Sequence, residues 1–200
     1  MGDPRRELVR YYRWLRRYGL NDSHSGNASV RDGDTVWVTP TGACADLLRP
    51  GDLVACRLGE PPPEGASLDA GIHLAVYEAA PATGAVLHGH GPHAIALSMG
   101  CGARLHLADF EGAYYFRDGV PVVDVALESY REEAPRRVAE ALRAEVACLM
   151  RGHGIYARGE TLERAYKWVC TVESAARTTW LARALRTAPP GGTPPGRGRP

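Results

Sequence analysis

No stretch of this 200-residue chain holds the roughly 18 uninterrupted apolar residues of a membrane-spanning helix, so no membrane partner is expected. Charge of one sign is also missing. Twenty-four Lys plus Arg against 23 Asp plus Glu leave a net +1, which excludes the strongly basic surface of an ordinary nucleic-acid binder. Cys44, Cys56, Cys101, Cys148 and Cys170 are odd in number, scattered and never spaced C-x-x-C. That pattern excludes a disulfide framework and a structural zinc knuckle. Cys148 and Cys170 lie among apolar residues and read as small buried hydrophobes. Met1-Gly2-Asp3-Pro4-Arg5-Arg6 leads into a charged amphipathic segment without an apolar signal-peptide centre. A cytoplasmic location is the expectation.

What is present fits one globular domain: 44% of the residues are hydrophobic and 24% charged. Over residues 5–18, Leu8, Tyr11, Tyr12, Leu15 and Tyr18 recur at helical spacing up to Gly19. Ala28-Ser29-Val30 and Thr35-Val36-Trp37-Val38 flank Asp32-Gly33-Asp34 and predict a β-hairpin. Leu53 to Cys56, Ala85 to Leu87 and Val146 to Met150 read as further short strands, and Ile155-Tyr156-Ala157 follows the last of them across a tight turn. Ile72, Ala75, Val76 and Ala79 mark a helical face closed by Pro81. A helix begins at Ala94, residues 131–143 are helical, and 160–186 carry a long helical periodicity. From 187 to 200 the composition turns to Pro, Gly, Arg, Ala and Thr, which predicts a disordered tail behind a domain of 1–186. The reading is an α/β domain whose short-stranded sheet carries helices packed on it.

Histidine carries the chemistry. His88 and His90 flank Gly89 at the end of an apolar strand. Residues two apart on a strand share a face at about 6.5–7 Å between Cα atoms, a spacing from which two imidazoles can converge on one ion. His153 ends a second buried strand between Gly152 and Gly154, and strands ending at one sheet edge bring it to the other two. An isolated H-x-H is as readily a pair of hydrogen-bonded core histidines; the second glycine-flanked histidine favours the metal. Three neutral nitrogen ligands with open positions mark a catalytic rather than a structural zinc site. Asp69, four residues before His73, offers a carboxylate to the same ion, as a ligand or as a base. His24, His73, His93 and His106 read as surface or hydrogen-bonded residues. Ser25-Gly26-Asn27 with Ser29, Thr41-Gly42 and Ser67 supply turn amides and hydroxyls suited to an anion such as phosphate. Each piece alone is ordinary turn chemistry.

Together, Ser25-Gly26-Asn27-Ala28-Ser29-Val30-Arg31, Thr39-Pro40-Thr41-Gly42, His73-Leu74-Ala75-Val76-Tyr77, Val86-Leu87-His88-Gly89-His90 and Arg151-Gly152-His153-Gly154 resemble the class II aldolase/adducin family. The resemblance covers residues 5 to about 183 in the family's order. It implies a three-layer αβα sandwich with a central, mostly antiparallel sheet. It also implies a cyclic homotetramer with active sites between subunits and a small-molecule substrate. His88, His90 and His153 take the zinc-ligand positions, with Mn2+, Co2+ or Fe2+ as other divalent occupants. Gly26, Asn27, Thr41, Gly42 and Ser67 take the phosphate positions. Asp69 falls where the aldolases carry a glutamate acting as general acid and base, and is Asp as in the epimerase branch. Leu68 stands where family members have a phosphate-holding serine, and no tyrosine follows Tyr166, unlike the epimerases. Tyr114, within Asp109 to Tyr115, is the candidate proton donor across an interface.

The reaction so implied is a reversible retro-aldol cleavage of a hydroxy-ketone, a sugar phosphate, through a metal-stabilised enediolate. Epimerisation and decarboxylation use the same enediolate and are the alternatives. An adducin-like scaffold without catalysis is the reading from another class.

Overall fold

A computed structural model describes residues 2–187. Of the tail expected over 187–200, Thr187 instead ends the last helix, and 188–200 lie outside the described residues. Helix α1 (Pro4–Arg17) is capped by Asp3, whose carboxylate accepts the Arg5 N–H at 3.0 Å, and Pro4 sits where a helix needs no N–H. Leu8, Tyr11, Tyr12 and Leu15 form its buried face, and Gly19, at φ 71°, turns the chain away. Strands β1 (Asn27–Asp32) and β2 (Thr35–Val38) form the hairpin expected, with Asp32 opposite Thr35. The chain continues through β3 (Val54–Arg57), α2 (Ala70–Ala79), β4 (Ala85–Gly89) and α3 (Pro92–Met99). It closes with α5 (Tyr130–Ala144), β7 (Ala147–Met150), β8 (Gly154–Gly159) and α6 (Leu162–Thr187).

The segment between α3 and α5, for which periodicity assigns no element, holds β5 (Arg104–Leu105), α4 (Phe110–Tyr115) and β6 (Val120–Val123). Two residues are too few to show alternation, and Pro121 argues against a strand in any sequence reading. Pro121 is tolerated because its neighbour Val122 donates to Ala103 O at 2.8 Å.

The eight strands form one sheet in the order β3-β2-β1-β4-β8-β7-β6-β5. Neighbours run antiparallel except β6 and β7, which are parallel. The two-residue period of the strands sorts side chains into two cores. Ala85, Leu87, Leu149 and Ile155 face the layer of α1, α3, α4 and α6. Val86, Cys148, Met150 and Tyr156 face α2 and α5. Each fully buried Leu, Ile or Val contributes about 1.5–3 kcal/mol, so the sheet is held from both sides. The αβα sandwich with a mostly antiparallel sheet is therefore present. Cys148 is buried as expected and Cys170 is half-buried. Among the described residues, no helix is long and apolar enough to cross a membrane.

Candidate functional site

Strand alternation sends His88 to the α2/α5 side, where its ring stacks on Tyr156 with centroids 4.0 Å apart. His90 follows one step past the end of β4. Because β4 pairs with β8, Gly89 opposite Ile155, the β7–β8 turn carrying His153 lies beside that end. Gly152 gives the turn its left-handed residue, at φ 68°. The three Nε2 atoms converge: His90 to His88 at 2.9 Å and His88 to His153 at 3.4 Å. A tetrahedral zinc with nitrogen ligands at 2.0–2.1 Å has ligand–ligand edges of about 3.3 Å, so the separations suit one shared ion. The His88 Nδ1–H donates to Ile155 O at 3.0 Å, which turns the Nε2 lone pair toward the other two rings. Gly154 lets the rings come this close. A Cβ there would lie 2.5 Å from Gly89 O and 2.9 Å from His88 Cε1.

Burial first, then the neighbouring rings, push the His88 imidazole well below its usual pKa. The same causes take His90 to about 4, and burial lowers His153. All three are neutral at pH 7, the form that binds a metal.

Asp69 stands at the N-cap of α2, yet its carboxylate does not cap that helix. It accepts hydrogen bonds instead from Asn27 Nδ2 at 2.8 Å, Tyr130 OH at 2.8 Å and Tyr156 OH at 3.0 Å. Its Oδ2 lies 3.9 Å from His88 Nε2. Burial alone would raise its pKa, but attraction to the His88 ring whenever that ring is protonated, together with the bonds from Asn27 and Tyr130, outweighs that and holds it below the usual carboxylate range. Behind Asp69 a buried chain of hydrogen bonds runs into the core. His73 Nε2 contacts Asn27 Oδ1 at 2.6 Å, and since an amide oxygen only accepts, Nε2 carries the proton. His73 Nδ1 then accepts from Ser29 Oγ at 2.7 Å, and Ser29 accepts from Tyr77 OH at 2.8 Å. Every member is satisfied with His73 neutral, and burial lowers its pKa to about 4.

The histidines and Asp69 form the floor of a cleft of about 710 Å3. Gly26, Asn27, Thr41, Gly42 and Ser67 line the same cleft, so nine of the ten residues expected at a site meet in one place. Gly26 is required there, at φ 68° and with His88 O 2.5 Å from where a Cβ would sit. Asn27, expected at an anion, has its amide oxygen on His73 and one N–H on Asp69. Leu68 opens into the cleft at 69% exposure, where an apolar side chain offers no hydrogen bond.

Tyr114 is the residue the structure does not bring in. It is 63% exposed on α4 and absent from the cleft wall of its own chain. Of the other histidines, His73 is buried and hydrogen-bonded, His93 pairs with Glu173 at 2.7 Å, and His24 and His106 are exposed. Sequence reasoning missed Tyr130 and Tyr156. The phenols meet at 3.0 Å over Asp69, and Tyr130 OH also lies 3.4 Å from His153 Nδ1. Tyr156 offered one signal, a hydroxyl three residues past His153 in an apolar strand; Tyr130 offered none.

Residues 6–180 match the family model described as Class II Aldolase and Adducin N-terminal domain. The chain is 32% identical over 192 residues to a 5-methylthioribulose-1-phosphate/5-deoxyribulose-1-phosphate aldolase of Rhodospirillum rubrum, covering 93% of this chain and 83% of that protein. It is 31% identical over 179 residues to a methylthioribulose-1-phosphate dehydratase of Acidiphilium cryptum, covering 80% and 82% respectively. Among solved structures, the L-fuculose-1-phosphate aldolase of Thermus thermophilus superposes with a TM-score of 0.85 at 36% identity, over 92% of this chain and 96% of that one.

Proposed function

This chain belongs to the class II aldolase and adducin N-terminal domain family, and on that premise we propose that it is a metal-dependent aldolase that reversibly cleaves a carbon–carbon bond of a phosphorylated hydroxy-ketone. The observation that carries the reading is the convergence of three neutral imidazole nitrogens beside one buried, ionised carboxylate. Zinc suits this donor set, as do Mn2+, Co2+ and Fe2+. A divalent ion held by His88, His90 and His153 would polarise the substrate carbonyl and offset the charge that bond cleavage leaves behind.

The protein's own residues do the rest. Gly26, Thr41, Gly42 and Ser67 receive the phosphate through turn amides and hydroxyls, with Asn27 contributing its remaining N–H. Leu68 makes this grip looser than a serine would. In the cleavage direction the hydroxyl that becomes the aldehyde loses its proton to Asp69 through the Tyr130 phenol. Asp69 then returns that proton to the carbon freed by bond breaking, so the cycle is proton-neutral. Tyr114 can take part only in the cleft of a neighbouring copy, and the exposed Phe110, Tyr114 and Tyr115 on α4 support a contact between subunits, which we assign to a homotetramer on the family resemblance. We place the enzyme in the cytoplasm, where five free thiols persist.

Incubating the zinc-loaded protein with ketose 1-phosphates and unphosphorylated analogues, read by mass, tests the reading. Two fragments are expected. Loss of water would make it a dehydratase, an unchanged mass with altered stereochemistry an epimerase, and loss of carbon dioxide from a β-keto acid a decarboxylase. A protein that binds no metal and converts nothing would be a scaffold.

A further inference from the structure

Helix α3 touches both metal-ligand segments, one at each end. Its first residue, Pro92, follows His90 by two positions. Its own N-cap, Gly91, has no side chain to satisfy the free N–H groups. The cap comes from another helix. Glu173 of α6 is buried, and its Oε1 accepts the His93 N–H at 3.1 Å and the His93 ring Nδ1–H at 2.7 Å. Its Oε2 accepts the Ala94 N–H at 2.9 Å. The fit leaves no room: a Cβ on Gly91 would lie 2.4 Å from that same oxygen.

At the other end Ser98 is fully buried, and its Oγ accepts the Gly152 N–H at 2.9 Å, one residue from His153. The same hydroxyl donates to Ile95 O at 2.7 Å, so its orientation is fixed. Arg151 adds guanidinium bonds to the carbonyls of Ser98 and Cys101. Among the described residues the His90 ring has no hydrogen bond like that from His88 to Ile155; its backbone N–H is shared by Leu20 O at 2.7 Å and Asn21 Oδ1 at 2.8 Å on the incoming side, and α3 takes up the chain on the outgoing side.

We propose that α3 is a strut that fixes the spacing of His90 and His153, with Glu173 and Ser98 as its two positioning residues for the metal. The proposal rests on the metal reading of the triad. Neither residue meets the cleft, so neither has a direct part in the chemistry. Partners bonded directly to a ligand typically set metal affinity by about 10–100-fold, and Glu173 and Ser98 act on the backbone segments that carry two of the ligands.

The test compares wild type, Ser98→Ala, Glu173→Gln and Val138→Ala, a core change on α5 remote from α3. Zinc affinity is read by chelator competition, ligand geometry by the visible spectrum of the Co2+ form, and fold by melting of the metal-free protein. Zinc bound about 10–100-fold more weakly by Ser98→Ala and Glu173→Gln, with an altered Co2+ spectrum, is expected. Val138→Ala should lower melting while leaving zinc affinity as in wild type. If Glu173→Gln does not fold, Ser98→Ala, which removes a single hydroxyl, decides. Wild-type affinity and spectrum in the two strut variants, whatever their melting, overturn the strut alone. A wild-type protein that takes up no zinc overturns the triad's metal reading and the strut with it.

Discussion

The Tyr130 phenol donates to the Asp69 carboxylate across 2.8 Å, although the residues stand 61 apart in sequence and open different helices. Helices α2 and α5 pack side by side, and the N-cap residue of the first and the opening residue of the second meet at the cleft. A hydrogen bond to a charged group contributes about 1.5–3 kcal/mol. Tyr130→Phe should lower kcat/KM about 10–100-fold and move the acid limb of its pH profile upward, because Asp69 loses a donor that favours its ionised form. Rate profiles between pH 4 and 9 check this.

His153→Ala should remove the third nitrogen from the triad. Bound zinc should fall well below one per chain, and turnover should drop by about three orders of magnitude or more. Metal analysis and activity on the same preparation check it together.

Gly154→Ala tests how tightly the rings are packed. The new methyl group meets backbone at Gly89 O, which cannot yield as a flexible side chain would. A cost of about 1–3 kcal/mol in stability is expected, with weakened metal binding, from denaturant curves and zinc titration.

The metal-free protein should lose stability as pH falls from about 6.5 to 4. His73 and His90 are held neutral in the fold down to about 4, whereas the unfolded chain protonates them near 6.5. The unfolded state thus binds more protons in that window, and each such histidine removes up to about 1.4 kcal/mol per pH unit. Above pH 6.5 this contribution is complete. Urea unfolding at pH 7.5, 6 and 5 measures the slope, and His73→Gln should remove one histidine's share.

The elements that periodicity could assign are there, within a residue or two at their ends. The unbroken apolar run of β4 is buried on both faces and the helical stripe of α1 buries one, so sequence and burial carry the same signal. The stretch from β5 to β6 was illegible because its strands are short, one holds a proline, and tertiary pairing alone defines them. The site divides in the same way. His88 and His90 are local, and glycines mark His153 and Gly26, so their positions could be read. The phenols over Asp69 come from α5 and β8, and the chain Tyr77–Ser29–His73–Asn27 joins β1 to α2. No spacing announces contacts made across a sheet, so His73 could be read as a hydrogen-bonded residue but its partners Ser29 and Asn27 could not.

The triad draws its nitrogens from the middle strand β4 and from the β7–β8 turn, so an ion seated there would tie the centre of the sheet together. An ion that binds only the native form stabilises it by about 2.7 kcal/mol at a hundred times its dissociation constant. Scarcity of the ion would then shorten the lifetime of the polypeptide as well as idle it, and cellular abundance of the enzyme would follow the nutritional supply of a trace element.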